Sequence, residues 1–338
     1  MLQSQKPSGW LPYFYDPASN VKERGNNDLI QLAAARRLSQ LAVTRSPFKS
    51  AHERQLATIF RYWHRDKAVT EMLTFNRRSS LGANAQWLRV LMVSPFASTY
   101  EPVIAALASR IRAQFQLPEG FPERLDSKTT NSDFLQQYYA GLATLALLEH
   151  GDLYQDSISL EIANKSLVLL NQKTEASKGP IHPALIPWHV LALSKYYRVS
   201  EDPTFLPTLF RLTNNLTELQ SDRDFPGRFY SSKYSRFGQP NSARDALGTL
   251  ALLHSLEIAT TSENQRIAKR YRKMARLALT NLVSLQYRRG GVSVFPKPRE
   301  AIGALRFRHH ESRIRLDATA FAAEAFEKAA ELSSKGRL

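Results

Sequence analysis

Four places in the chain carry residues able to move protons or hold charge. Tyr138 and Tyr139 stand side by side after Asp133, Gln136 and Gln137, and a phenol can protonate a leaving group or abstract a proton. Adjacent rings on a helix also serve plain packing. His182 and His189 follow within His182-Pro183-Ala184-Leu185-Ile186-Pro187-Trp188-His189. Their separation is two helical turns, and either suits a general base as well as it suits a structural, hydrogen-bonded imidazole. The prolines at 183 and 187 predict a helix that begins near Pro187 and leaves His182 in the loop.

Two carboxylates open helical stretches beside arginines: Asp245 next to Arg244, and Asp317 two residues after Arg315. A carboxylate there caps the helix, or acts as a site acid beside an arginine that orders an anion. The densest charge lies between Arg288 and Arg315, where eight Lys and Arg and the pair His309-His310 face only Glu300 and Glu311. Arginine forks onto carboxylate, sulfate or phosphate, so such a loop suits an anionic ligand; a solvated basic loop or a docking surface is the alternative. Upstream, Phe225, Phe229, Tyr230, Tyr234 and Phe237 alternate with Arg223, Arg228, Lys233 and Arg236. Rings interleaved with cations stack on sugars and on bases alike.

The elements that must position these residues are helices of two kinds. Six stretches are rich in small and apolar residues: Asp28–Ala42, Leu81–Ser94, Phe134–His150, His182–Arg198, Ser242–Ala259 and Leu316–Leu332. Five amphipathic ones alternate with them: Ala51–Arg65, Thr99–Phe115, Ser157–Gln172, Thr204–Gln220 and Glu263–Gln286. Apolar residues at spacings of three and four, such as Phe205, Leu209, Leu212, Leu216 and Leu219, give the second set one buried face. Ala and Gly between the bulky residues of the first set suit helices crowded on both sides. Strict alternation predicts an inner and an outer ring.

Three outer stretches end in an echo of Gln, then Gly, then Phe: Gln114 through Gly120 to Phe121, Gln220 through Gly227 to Phe229, and Gln286 through Gly290-Gly291 to Phe295. Glycine ends a helix there without steric cost. Inner-to-outer links are short and outer-to-inner links are mostly long, so the long loops gather on one face of the ring, where sites are built.

Composition bounds the rest. Lys and Arg exceed Asp and Glu by 46 to 30, a net charge of +16 that attracts polyanions. No cysteine is present, which rules out disulfides, thiolate nucleophiles and cysteine-ligated zinc. No apolar run approaches the roughly 20 residues of a membrane-spanning helix, and the first ten residues contain no secretory signal. This reading predicts a cytoplasmic protein, or an exported one if a signal precedes the sequence. No compact His/Asp/Glu cluster has metal-ligand spacing, and neither a metal nor a cofactor is expected.

Gly9-Trp10-Leu11-Pro12-Tyr13-Phe14-Tyr15-Asp16 before a helix, Leu81-Gly82-Ala83-Asn84-Ala85, Tyr138-Tyr139-Ala140-Gly141-Leu142-Ala143, the Gln-Gly-Phe echoes, and Arg315-Leu316-Asp317 before an Ala-rich helix together resemble the six-hairpin (α/α) toroid proteins. That group includes glycoside hydrolases, polysaccharide lyases, the C-terminal domain of glucuronyl C5-epimerases and, more distantly, terpene cyclases and lanthionine synthetases. The resemblance implies an all-α fold of about six helical hairpins over residues 28–332, between an arm of residues 1–27 and a tail of residues 333–338. It also implies a site at the long-loop face, and tyrosine acid/base chemistry as in several toroid lyases and epimerases. The lanthionine synthetases are struck out because they need cysteine-bound zinc, and the protonating terpene cyclases because no Asp-x-Asp-Asp occurs.

Two function classes remain. One is a carbohydrate-active toroid acting on an anionic glycan by lyase, epimerase or hydrolase chemistry. Tyr139, His189, Asp245 and Asp317 are then the acid/base and carboxylate groups, meeting at one cavity, with Arg228, Arg244, Arg315, Tyr138, His182 and Tyr230 binding substrate. The other is a toroid that keeps the scaffold as a binding or assembly module. Nucleic-acid binding through the basic face ranks behind both.

Overall fold

The computed structural model describes residues 5–23, 25–65, 71–75, 78–125, 132–176, 179, 181–220 and 225–338. Arg223 of the aromatic loop lies outside these. The inner helices are α1 (Asp28–Thr44), α3 (Leu81–Met92), α5 (Asp133–Tyr154), α7 (Ile186–Ser200), α9 (Ser242–Thr261) and α12 (Leu316–Ser334). Between them run the outer helices α2 (Ser46–Ile59), α4 (Glu101–Gln114), α6 (Ser157–Ala176), α8 (Leu206–Glu218) and α10 (Gln265–Leu285), with a one-turn α11 at Pro298–Ala301. Each inner helix packs on the next, and α12 returns to α1, so the ring closes. The fold is an all-α (α/α) toroid.

Among the inner helices α3 is buried all round. Every residue from Leu81 to Met92 is buried, which a helix flanked by two inner neighbours and one outer one requires. Asn27, Ser80, Ser132 and Asn241 cap α1, α3, α5 and α9 by accepting from backbone N–H groups inside the first turn. The first outer helix departs from expectation. It starts earlier, at Ser46 with Pro47 in its first turn, and ends at Ile59. The chain then turns through Phe60–Tyr62 into a hairpin of β3 (Trp63–Arg65) and β4 (Glu71–Leu73).

The N-terminal arm is woven into the ring. Strand β1 (Phe14–Asp16) pairs with β2 (Val21–Lys22) on one side and with β5 (Ile314–Arg315), just before α12, on the other. It thereby ties the last inner helix to the first.

One contact recurs around the ring. The fourth residue of an inner helix is polar, and its side chain holds the backbone of an apolar residue in the loop that leads into that helix. Gln31 exchanges two hydrogen bonds with Leu11, 3.2 and 2.6 Å, and Asn84 exchanges two with Leu73, 2.8 and 3.1 Å. Gln136 Nε2 donates to Phe121 O at 3.0 Å, Asp245 Oδ1 accepts from Phe229 N at 2.9 Å, and Thr319 Oγ1 accepts from Leu305 N at 3.4 Å. All five held residues are at most 2% exposed. A buried backbone must find partners, and these side chains supply them.

The Gln-Gly-Phe echo is part of this device, with two corrections, the first to Gln114 and the second to the last glycine and aromatic. The first ladder starts at Gln116, which bridges Gly120, and the second pairs Gln220 with Phe229. The third pairs Gln286 with Leu305, and Gln286 Nε2 donates to Gly303 O, as Gln220 Nε2 does to Gly227 O. Gly303 and Leu305 therefore take the place that the sequence pattern gave to Gly290-Gly291 and Phe295. Gly120, Gly227 and Gly303 all have φ between 84° and 91°.

These glycines differ in surroundings, which sets a test. A Cβ on Gly227 would lie 2.0 Å from the Leu277 carbonyl oxygen, while one on Gly303 would meet nothing within 4 Å. Gly303→Ala should cost only the left-handed backbone term, about 1–2 kcal/mol. Gly227→Ala adds a backbone clash and should cost at least about 3 kcal/mol. Urea unfolding of the two variants checks the order, and equal losses would refute it.

Candidate functional site

The long loops cover the N-terminal ends of the inner helices, and there five of the singled-out residues converge. Arg315 forks onto Asp317, Nε to Oδ1 at 2.7 Å and Nη2 to Oδ2 at 2.9 Å, with its guanidinium 4.4 Å from the Phe307 ring centre. Tyr138 lies within the field of both Asp317 and Arg315; burial first, then Asp317, pushes its phenol up to about 12. Its ring meets Tyr139, Trp188 and Phe134. His182 stays in the loop before α7, between Phe134 and Phe237 at ring separations of 4.7 and 4.8 Å. Burial, then Arg244, lowers its pKa, and its Nδ1 accepts from Ala184 N, which leaves Nε2 to carry the proton of the neutral ring. Arg244 donates to Phe237 O at 2.7 Å.

Tyr139 sits on the α3 side of this mouth, over Gly82, where any Cβ would strike its ring. Burial and the nearby carboxylates of Asp28 and Glu123 push its phenol up to about 12. Asp28, the first residue of α1, was not singled out in the sequence. Burial raises its carboxyl pKa, which keeps a proton on it to higher pH than usual. An Asp directly after an N-cap Asn reads as helix chemistry, and only the ring reveals Tyr139 beside it.

Asp245 and His189 do not share that mouth. Asp245 lines a separate cavity of about 270 Å³ with Arg228, Tyr230, Asn241, His309 and His310. The residue is 2% exposed, and its carboxylate is committed to Phe229 N and to Asn281 Nδ2, at 3.1 Å. Asn281 uses its other end on His309 Nε2 at 2.9 Å, and His309 stacks on Phe225. Arg228 lies between the Phe225 and Tyr230 rings, 4.9 and 5.1 Å from their centres.

His189 is the fourth residue of α7, the position that clasps a loop elsewhere in the ring. Here it bonds the Gln137 backbone on the neighbouring inner helix, and burial lowers its pKa to about 4. It borders a third cavity, of about 300 Å³, between the inner and outer rings, with Gln137, Leu169 and Leu185. The expectation that Tyr139, His189, Asp245 and Asp317 meet at one cavity is therefore corrected, since His189 and Asp245 border different ones. The two histidines also part, His182 to the mouth and His189 to the space between rings. No group of three or more His, Asp or Glu that could hold a metal occurs among the described residues, and no described helix is long and apolar enough to cross a membrane.

No protein-family model matches the chain, and no curated protein matches it. Solved structures do. A D-mannose isomerase superposes with a TM-score of 0.71 at 13% identity, covering 97% of this chain and 93% of that one. An inactive variant of the α-1,6-mannanase of Salegentibacter sp. HEL1_6, in complex with α-1,6-mannotetrose, gives 0.65 at 11% identity over 97% and 95%. An unsaturated glucuronyl hydrolase with dGlcA-Glc-Rha-Glc gives 0.66 at 12% identity over 97% and 93%. Likeness at this level of identity establishes the shared (α/α) toroid fold.

The Asp245 clasp generates a pH prediction. Burial raises the carboxyl pKa to about 6, above the roughly 3.9 of an unfolded chain. The folded state then binds more protons than the unfolded one between those values, so stability is greatest below about pH 4 and is lost as pH rises through 6. About two units correspond to roughly 2–3 kcal/mol. Asp245→Asn keeps an acceptor for Phe229 N and should flatten this part of the stability–pH curve in denaturant titrations; an unchanged slope would show that Asp245 does not titrate there.

Proposed function

We propose that this protein is a carbohydrate-active toroid that takes an acidic saccharide at its long-loop mouth. The observation that carries the reading is the meeting there of Tyr138, His182, Arg244, Arg315 and Asp317. Flat rings suit the apolar faces of sugars, and a guanidinium suits a uronate-type carboxylate. Arg244 is the anion clamp best placed for this. Its guanidinium bonds only a carbonyl among the described residues, and the adjacent Asp245 is spent on Phe229 and Asn281. Arg315 stands at the same mouth, and its fork orients Asp317 beside Tyr138. Arg228 and Tyr230 extend the surface toward the neighbouring cavity. The structural neighbours, which process mannose, mannan and a glucuronyl-capped saccharide by their descriptions, support the carbohydrate class.

In the catalytic form of this reading the proton carriers are the Tyr138 and Tyr139 phenols, with Asp28 and Asp317 as carboxylates. A second reading, a binding module without chemistry, is favoured by a specific fact: Asp245 and Asp317, the carboxylates expected to act, are both bound into internal contacts. Hydrolysis by a carboxylate pair needs one free acid and one free base or nucleophile.

Calorimetric titration with uronate-containing and neutral oligosaccharides of equal length tests both readings. Acidic ligands should bind more tightly, with affinity falling as salt screens the site. Arg244→Ala and Arg315→Ala should each cost about 1.5–3 kcal/mol of that binding and leave neutral ligands unaffected. Turnover of the bound oligosaccharide, followed by mass spectrometry, separates catalysis from binding. Duplex DNA bound as well as the acidic glycan would reduce the site to a diffuse basic field.

A further inference from the structure

The bore of the ring holds a cavity that none of the mouth residues named above except Trp188 touches, of about 210 Å³ and lined by side chains from all six inner helices. Its lining is graded along the helix axes. On α7, Trp188 and Leu191 come first and Lys195 and Arg198 follow toward the C-terminus; on α9, Leu247 and Leu250 precede His254. Leu145 precedes Glu149 on α5, and Phe321 precedes Glu324 on α12. The floor is therefore apolar and the rim charged. The rim runs from the middle of α1 and α12, at Arg36 and Glu324, to the last turns of α5 and α7, toward the short-loop face and away from the mouth.

The rim is cationic in balance. Arg36, Arg89, Lys195 and Arg198 face the cavity against Glu149 and Glu324, and Lys195 also pairs with Asp152 at its outer edge. Arg89 forks onto Glu149 at 2.7 and 2.9 Å and donates to Gln86 at 3.0 Å, while Arg36 bonds Glu324 at 2.8 Å. Those contacts use both carboxylates of the lining. Arg198 reaches Glu257 at 3.0 Å, but Glu257 is also held by Lys328 at 2.8 Å, and Arg198 is the most solvent-exposed of the four, at 34%. His254 reports the same field. Burial first, then Arg198, Lys328, Arg36 and Arg89, hold its pKa well below the ordinary histidine value, so it adds no charge.

Buried charges cost desolvation, and apolar side chains would fill a ring at less expense. Here charges surround an open space instead, which is the arrangement of a ligand site. We propose that the bore is a binding site for a small amphipathic monoanion, admitted from the short-loop face, with its apolar chain against Trp188, Leu250 and Phe321 and its acid group on Arg198. The site is independent of the saccharide reading and lies at the other end of the ring.

Hexanoate is the probe, with hexan-1-ol as its neutral counterpart, titrated calorimetrically into the full chain. Hexanoate should saturate one site per chain, and hexan-1-ol should bind at least about tenfold more weakly, because it lacks the charge-assisted bond. Arg198→Ala leaves Glu257 paired with Lys328 and should weaken hexanoate about tenfold. Leu250→Phe should block the floor. Arg244→Ala, at the opposite mouth, should leave hexanoate binding unchanged, which separates failure here from failure of the saccharide reading. Absence of saturation, equal affinity for acid and alcohol, or unaltered binding by Arg198→Ala would each overturn the proposal. If Leu250→Phe does not fold, as read by circular dichroism, Arg198→Ala and the alcohol still decide.

Discussion

A polar side chain one turn into an inner helix, holding the backbone of the loop that enters it, is the contact on which this ring depends. Each inner helix begins where a long loop dives to the interior, and that backbone passes through space shared by two helices and a neighbouring loop. Unpaired N–H and C=O groups there would cost about 1–3 kcal/mol each. Gln31, Asn84, Gln136, Asp245 and Thr319 supply the partners, and Leu11, Leu73, Phe121, Phe229 and Leu305 fill the space beneath. The contact fixes loop register, and loop register decides which side chains reach the mouth.

Two positions of the repeat carry ionisable groups and border cavities. At the fourth position of α7 stands His189, which bonds the neighbouring inner helix, and a cavity adjoins it. At the fourth position of α9 stands Asp245, the one ionisable carboxylate used as a clasp. Its second oxygen recruits Asn281 from α10, and through it His309 from the basic loop. That chain of bonds anchors the arginine-rich segment to the ring and holds Arg228 and Tyr230 around the adjoining cavity. A residue that reads as a site acid is thereby the anchor of a site-forming loop.

Charge is divided between the two ends of the ring. At the long-loop end, cations stand over aromatic rings, Arg315 on Phe307 and Arg228 between Phe225 and Tyr230. Guanidinium stacked in this way keeps its edge free for in-plane hydrogen bonds. At the short-loop end the cations meet carboxylates in the bore, Arg89 and Arg36 with Glu149 and Glu324. The net charge of +16 is thus organised, in part, into two sets of arginines with different partners.

The ring architecture was legible in the sequence pattern, the first outer helix excepted. Alternation of small-apolar with amphipathic helices, and of short with long links, follows from burial on two sides against burial on one, and periodicity records burial directly. The sequence also determined that His182 precedes α7, because proline at the start of a helix leaves a local mark. What only the tertiary structure decided is which polar residues are free to act. Asp245 and Asp317 have the same helix-entry look, yet one is consumed by a loop backbone and an asparagine 36 residues away, and the other by the arginine two residues before it. His189 and Asp28 depend likewise on neighbours from other hairpins. The third glycine of the echo was misplaced for a related reason: Gly290-Gly291 and Gly303 both lie beyond Gln286, and only the pairing of Gln286 with Leu305 selects between them. Hydrophobic period is a property of one helix, whereas hydrogen-bond commitment belongs to contacts between hairpins distant in sequence.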